Sequence, residues 1–179
     1  GSVLWLLEDN PEAVRNLRRE ASRRGVAPER LIFAPRLKTE EHLSRQRLAD
    51  LFLDTLPYNA HTTGSDALWA GLPILTCLGT TFAGRVAASL LSAAGLPELI
   101  VPTLEQYEAL AVKLAEDRGG LAELADRLAR NRATCPLFDT RRFVRHLEAA
   151  YVTMWQRHGS GEAPASFAVP AISRARAGE

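Results

Sequence analysis

Five short, almost wholly apolar runs, each followed by a stretch with helical spacing, constrain the fold of this chain more than any other feature. The runs are "VLWLL" (3–7), "RLIFAP" (30–35), "LFLDT" (51–55), "PILTCL" (73–78) and "ELIV" (98–101). Short strands without polar alternation predict burial on both faces, and a parallel sheet between helical layers supplies it. The separators agree. In "DNPEAVRNLRREASRRG" (9–25), Asn10 is placed as N-cap, Pro11 as first helical residue and Gly25 as stop. "TEEHLSRQRLAD" (39–50) enters a helix at Thr39 with acids in its first turn, and helices over 63–71 and 84–95 follow. The predicted class is α/β, a Rossmann-like parallel sheet with helices on both faces.

From Thr103 the pattern becomes all helical, the last helix being entered through Asp139. The sequence therefore divides into a Rossmann-like lobe over 1–102, C-terminal helices packing on it over 103–158, and a Gly-, Ala-, Ser- and Pro-rich flexible tail over 159–179. The stripes "YEALAVKLA" and "FVRHLEAAYVTMW" read as core-facing. The first element is a core-type strand with nothing before it, which leads to the expectation that residue 1 is a cut end.

Several classes of function are disfavoured. With 22 basic against 21 acidic residues, no electrostatic footprint points to nucleic acid or an anionic membrane. Cys77 and Cys135 are far apart, lack the close Cys or His pairing of a zinc site, and read as buried free thiols in a reducing compartment. No apolar run reaches membrane-spanning length, and a cytoplasmic location is expected.

In an open parallel sheet, ligands bind beyond the carboxyl ends of the strands, where loops lead into helix N-termini. "LFLDTLPYNAHTTGSD" is such a junction. A helix N-terminus offers unpartnered N–H groups and the positive end of the dipole, which suit a phosphate. Thr62 and Thr63 add hydroxyls, Gly64 permits close backbone approach, and His61 is neither turn former nor core filler. Thr63-x-x-Asp66 also has the spacing of a capping box with Asp in place of Glu, so cap and ligand readings both stand. In the preceding loop, Lys38, His42 and Arg45 mark the entrance and one side of a helix, as a site or as a solvated face. Thr80 and Thr81 precede the next helix as donors or caps, and His146 and His158 read as surface residues.

The run "RLIFAPRLKTEEHLSRQRLADLFLDTLPYNAHTTGSDALWAGLPILT", with "FAGRVAASLL" and "CPLFDTRRFVRHLEAAYVTMW", resembles the C-terminal catalytic lobe of the O-GlcNAc transferase family, over about Val3 to His158. The resemblance implies one lobe of a two-lobed GT-B glycosyltransferase that uses UDP-GlcNAc as donor, protein Ser or Thr as acceptor, and no metal. It further implies a second lobe and tetratricopeptide repeats outside these residues, along with the family's phosphate-binding lysine and candidate bases. Carried over residue by residue, Thr62 and Thr63 meet the diphosphate, with His61 completing that element. Asp66 holds the ribose hydroxyls, His42 stacks near the uracil, Arg45 supports that end, and the Leu37 main chain reads the base edge. The family's lysine before the acidic pair is replaced by Thr39, with Lys38 one place earlier, and Thr80 stands where members often have Glu. Two alternatives remain at this stage: a non-catalytic UDP-binding or scaffold module, and a lobe of another GT-B UDP-sugar enzyme.

Overall fold

The computed structural model describes residues 1–171. Strands β1 (Leu4–Leu7), β2 (Leu31–Ala34), β3 (Phe52–Leu53), β4 (Ile74–Cys77) and β5 (Ile100–Val101) alternate with helices α1 (Pro11–Arg23), α2 (Thr39–Gln46), α3 (Thr62–Ala70) and α4 (Val86–Ala94). Helices α5 (Leu104–Glu116), α6 (Arg118–Arg132) and α7 (Thr140–Gly159) follow. Every strand pair is parallel. The α/β class and the element order match the sequence expectation, while the single sheet divides into two ladders, β1-β2 and β3-β4-β5.

Strand β4 explains how an apolar run finds two buried faces. Its four residues are all buried. Successive side chains point to opposite sides, so Ile74 enters the main core with Leu68 of α3, Leu91 of α4 and Leu128 of α6. Leu75 and Cys77 meet Val101 and the Tyr107–Ala111 face of α5 on the other side. Strand β1 differs from the core strand expected: Leu4 and Leu7 are each 44% exposed, because β1 pairs with β2 alone among the described residues.

Local signals set most helix ends. Asn10 Oδ1 accepts the Ala13 amide at 2.7 Å, and Asp139 Oδ1 accepts that of Arg142 at 2.9 Å. Helix α3 stops at Gly71, whose φ of 95° lies in the left-handed region that glycine adopts without a Cβ clash. Helix α2 ends at Gln46, four residues before the predicted end, and Arg47 and Leu48 follow as turn.

The C-terminal helices correct one expectation. Helices α5 and α6 contribute Leu114, Leu124 and Leu128 to the core, but α7 has no buried residue. Its stripe, expected to face the core, instead exposes Phe143, Tyr151 and Trp155. Beyond α7 the chain folds back. Arg157 bonds Glu162 at 3.0 Å and lies over the Phe167 ring. The flexible-tail expectation extends over 172–179, which lie outside the described residues. Both cysteines are buried and free, as expected, and no described helix is long and apolar enough to cross a membrane.

Candidate functional site

At the carboxyl end of β3, a loop closes a cavity of about 430 Å³ lined by Asp54, Tyr58, Asn59, His61, Thr62 and Thr63, among others. The Leu56–Pro57 peptide in this loop is cis. The loop is anchored by main-chain and side-chain bonds: Asn59 N donates to Ala83 O at 3.0 Å, Asn59 Nδ2 to Thr55 O at 2.9 Å, and Thr55 Oγ1 to Tyr58 O at 2.9 Å.

The loop delivers the chain to the start of α3 with His61 in the N-cap position. The His61 side chain makes no capping bond. Its ring stacks on Tyr58, with centroids 4.6 Å apart and planes 18° apart, and meets the Phe82 ring edge-on at 6.1 Å. The capping box read from Thr63 and Asp66 is therefore not formed, since the helix begins one residue earlier and Thr63 lies inside its first turn. Ser65 N already bonds His61 O at 3.0 Å. The N–H groups of Thr62, Thr63 and Gly64 precede the first such intrahelical bond, no side chain caps them from His61, and no acid stands in the first turn. Thr62 and Thr63 are exposed at the cavity. A helix end of this kind presents several N–H donors and an unneutralised dipole to whatever fills the cavity.

Gly64 also has a packing role. It is buried, and a Cβ built on it would sit 3.2 Å from Ala60 Cβ and Leu90 Cδ1, and 3.4 Å from Ile74 Cδ1. The missing Cβ lets α3 sit close on the core beneath it. Asp66 is half-buried one turn further along and does not line the cavity.

The residues predicted from the preceding loop form a separate patch on α2, which packs against α3. Arg45 Nη1 donates to Pro35 O at 2.7 Å, its guanidinium lies over the Trp5 ring at 5.5 Å, and its Nη2 is 3.2 Å from His42 Nδ1. A guanidinium only donates, so Nδ1 is the acceptor of that contact, and the Gln46 side-chain nitrogen stands 3.2 Å from the other ring nitrogen, Nε2. Both edges of the His42 ring are thus occupied. Leu37 and Lys38 are exposed, Lys38 as the N-cap residue of α2. In the next loop, Thr81 Oγ1 accepts Gly84 N at 3.1 Å, a local turn contact. His146, read as a surface residue, has its Nδ1 2.8 Å from Arg142 O.

Sequence reasoning missed the buried polar centre beneath the cavity. Asp54 is 7% exposed; its Oδ1 accepts Ala60 N and its Oδ2 accepts Thr76 Oγ1, both at 2.6 Å. Its main-chain carbonyl accepts the Tyr107 hydroxyl of α5 at 2.8 Å. The one signal in the sequence was an acid ending an apolar strand. Burial, then the Asp54 and Cys77 charges, push the Tyr107 phenol from 10.0 up to about 12. The folded state holds that proton more tightly, so the stability it adds is complete below about pH 10 and is lost as pH rises to about 12. Tyr107→Phe is expected to flatten this alkaline loss, read by urea unfolding at stepped pH.

The profile of glycosyl transferase family 41 matches residues 1–147. The chain belongs to this family. It is 45% identical over 169 residues to the probable UDP-N-acetylglucosamine–peptide N-acetylglucosaminyltransferase SEC of Arabidopsis thaliana, covering 94% of this chain and 17% of that protein. The corresponding enzyme of Caenorhabditis elegans is 38% identical over 160 residues, covering 89% of this chain and 14% of that protein. Among solved structures, a mutant O-GlcNAc transferase of Thermobaculum terrenum superposes with a TM-score of 0.84 at 37% identity, over 90% of this chain and 32% of that one. This family 41 chain thus spans about a sixth of the length of the curated relatives it matches. Its Rossmann-like fold is that of a GT-B lobe, as the resemblance implied.

Proposed function

We propose that this chain is the nucleotide-sugar-holding part of an inverting glycosyltransferase that moves N-acetylglucosamine from UDP-GlcNAc to Ser or Thr hydroxyls of proteins. The observation that carries the reading is the uncapped N-terminus of α3, opening with Thr62 and Thr63 on a cavity at a strand end, in a family 41 chain. The acceptor oxygen attacks the anomeric carbon, the bond from that carbon to the diphosphate oxygen breaks, and UDP leaves with the electron pair. The first-turn N–H groups, the two hydroxyls and the helix dipole stabilise the charge that grows on the leaving diphosphate. The acceptor's proton goes to a base of the facing lobe.

The α2 patch serves the base end of the nucleotide. With both edges of His42 occupied, the ring faces are what it offers to a uracil, while Arg45 fixes its orientation and the main chain at Leu37 meets the base edge. Asp66, free of capping duty, is available for the ribose diol. Lys38 stands at the entrance as a cation for the phosphates. In this reading, donors from the protein take the place of a metal at the diphosphate.

The test is calorimetric titration of UDP into the complete natural protein and its Thr63→Ala and Asp66→Ala variants. Each substitution is expected to weaken binding about tenfold, the worth of a hydrogen bond to a charged or bidentate partner. Equal affinity in all three would sink the assignment. UDP binding without GlcNAc transfer to any protein acceptor would instead favour the non-catalytic module.

A further inference from the structure

We propose that Asp54 is a positioning residue: its buried carboxylate ties the loop amide of Ala60 to Thr76 of β4 and so sets the His61–Thr62–Thr63 cradle against the sheet. This inference rests on the reading of that cradle as the diphosphate site.

Register brings the pair together. Strands β3 and β4 run parallel with Phe52 opposite Ile74 and Leu53 opposite Leu75, so the next residue, Asp54, falls beside Thr76. Asp54 N continues the ladder to Leu75 O at 3.0 Å. The side chains then face each other, and Thr76 Oγ1, fully buried, donates to Oδ2 at 2.6 Å. The other oxygen takes Ala60 N at 2.6 Å, six residues along the chain and immediately before His61. One carboxylate thereby joins the end of the sheet to the residue that precedes the helix start.

A buried carboxylate is costly to desolvate unless its oxygens are bonded. Here each oxygen has a close donor, and the Thr76 hydroxyl stands at the distance expected of a charge-assisted O–H bond. Tyr107 adds a clasp from α5 on the Asp54 carbonyl, which fixes the strand end from the opposite face. Both carboxylate oxygens are committed inward, so Asp54 is not placed to take a proton from an acceptor. Its action on a ligand passes through the loop. Without it, the Ala60 amide and the Thr76 hydroxyl would be left buried and unpaired, and the loop would relax to find partners, moving the first turn of α3. A displacement of about 1 Å in a binding constellation is enough to cost about 100-fold in rate.

The experiment measures UDP affinity and stoichiometry by calorimetry in the complete natural protein, with Asp54→Ala, Asp54→Asn, Thr76→Val and, as control, Thr63→Ala. Asp54→Ala is expected to weaken UDP about tenfold at unchanged stoichiometry, the scale of a lost charge-assisted bond. A merely structural role would reduce the bound fraction and leave Kd where it was. Asp54→Asn should recover to within about threefold, because its Oδ1 still accepts from Ala60 and its amide can donate to the Thr76 hydroxyl. Wild-type Kd in Asp54→Ala, or an Asn variant as weak as the Ala variant, overturns the positioning role. Should Asp54→Ala not fold, Thr76→Val decides: about threefold weaker binding supports the role, and wild-type Kd overturns it. Either outcome leaves the cradle standing if Thr63→Ala binds weakly. Wild-type Kd in Thr63→Ala overturns the cradle and this inference with it.

Discussion

Leu68→Ala is expected to lower the unfolding free energy by about 2–5 kcal/mol, while the folded fraction still binds UDP as the wild type does. Leu68 is fully buried in the last turn of α3, in a cluster with Ile74, Leu91, Leu96 and Leu128. Truncation removes apolar contacts and leaves a cavity between α3, β4, α4 and α6 that close-packed neighbours fill only in part. The first turn of the helix lies ahead of that cavity, and its links through Ala60 and His61 are untouched. Denaturant melts give the loss in stability. Calorimetry with UDP at low temperature gives the retained affinity, and weaker binding at full stoichiometry would contradict the separation of core from cradle.

Gly64→Val is expected to damage both properties at once. A Cβ at Gly64 already comes within 3.2 Å of Ala60 Cβ and Leu90 Cδ1, so the two methyls of valine would enter space held by Ala60, Leu90 and Ile74. Overpacking of this kind costs about 1–3 kcal/mol. The relief available is for α3 to lift from β4, and Thr62 and Thr63 would move with it. UDP affinity should therefore fall about tenfold or more at full stoichiometry, by the same loss of bonds to the diphosphate. Gly64→Ala gains helix propensity of about 1 kcal/mol against a milder clash, and is expected to be near neutral. A valine variant with wild-type Tm and wild-type UDP affinity would show that the close contact at Gly64 carries no constraint.

Much of the lobe was legible in the residues. Asn10 and Asp139 announced their helix starts through side chains that bond the amide three residues on, and such local bonds depend on no distant partner. The junction at 53–66 was legible as a candidate site because strand ends in a parallel sheet are where loops and helix N-termini converge. Its details were not. Thr63 and Asp66 had the spacing of a cap, yet α3 begins at Thr62 and the box never forms. Helix starts are decided by where the loop lets the chain turn, and here the loop is fixed by Ala83 and Asp54. The apolar stripe of α7 misled for a related reason, since periodicity shows that a face is apolar and cannot show what meets it.

Residue order alone was enough to set the α/β class, the succession of elements and the strand end after which Thr62 and Thr63 open a helix. These follow from local rules: apolar run length, cap chemistry and the spacing of helical faces. Packing in three dimensions was needed to set Gly64 against the core, to stack His61 on Tyr58 with Phe82 edge-on to it, and to make Asp54 a buried tie to Thr76. Each of those draws in part on a partner from another element: Leu90 and Ile74 for Gly64, Phe82 for His61, Thr76 for Asp54, with Tyr107 reaching the Asp54 carbonyl from 53 residues away. Such partners are brought together by strand register and helix packing, which no short stretch of the sequence encodes alone.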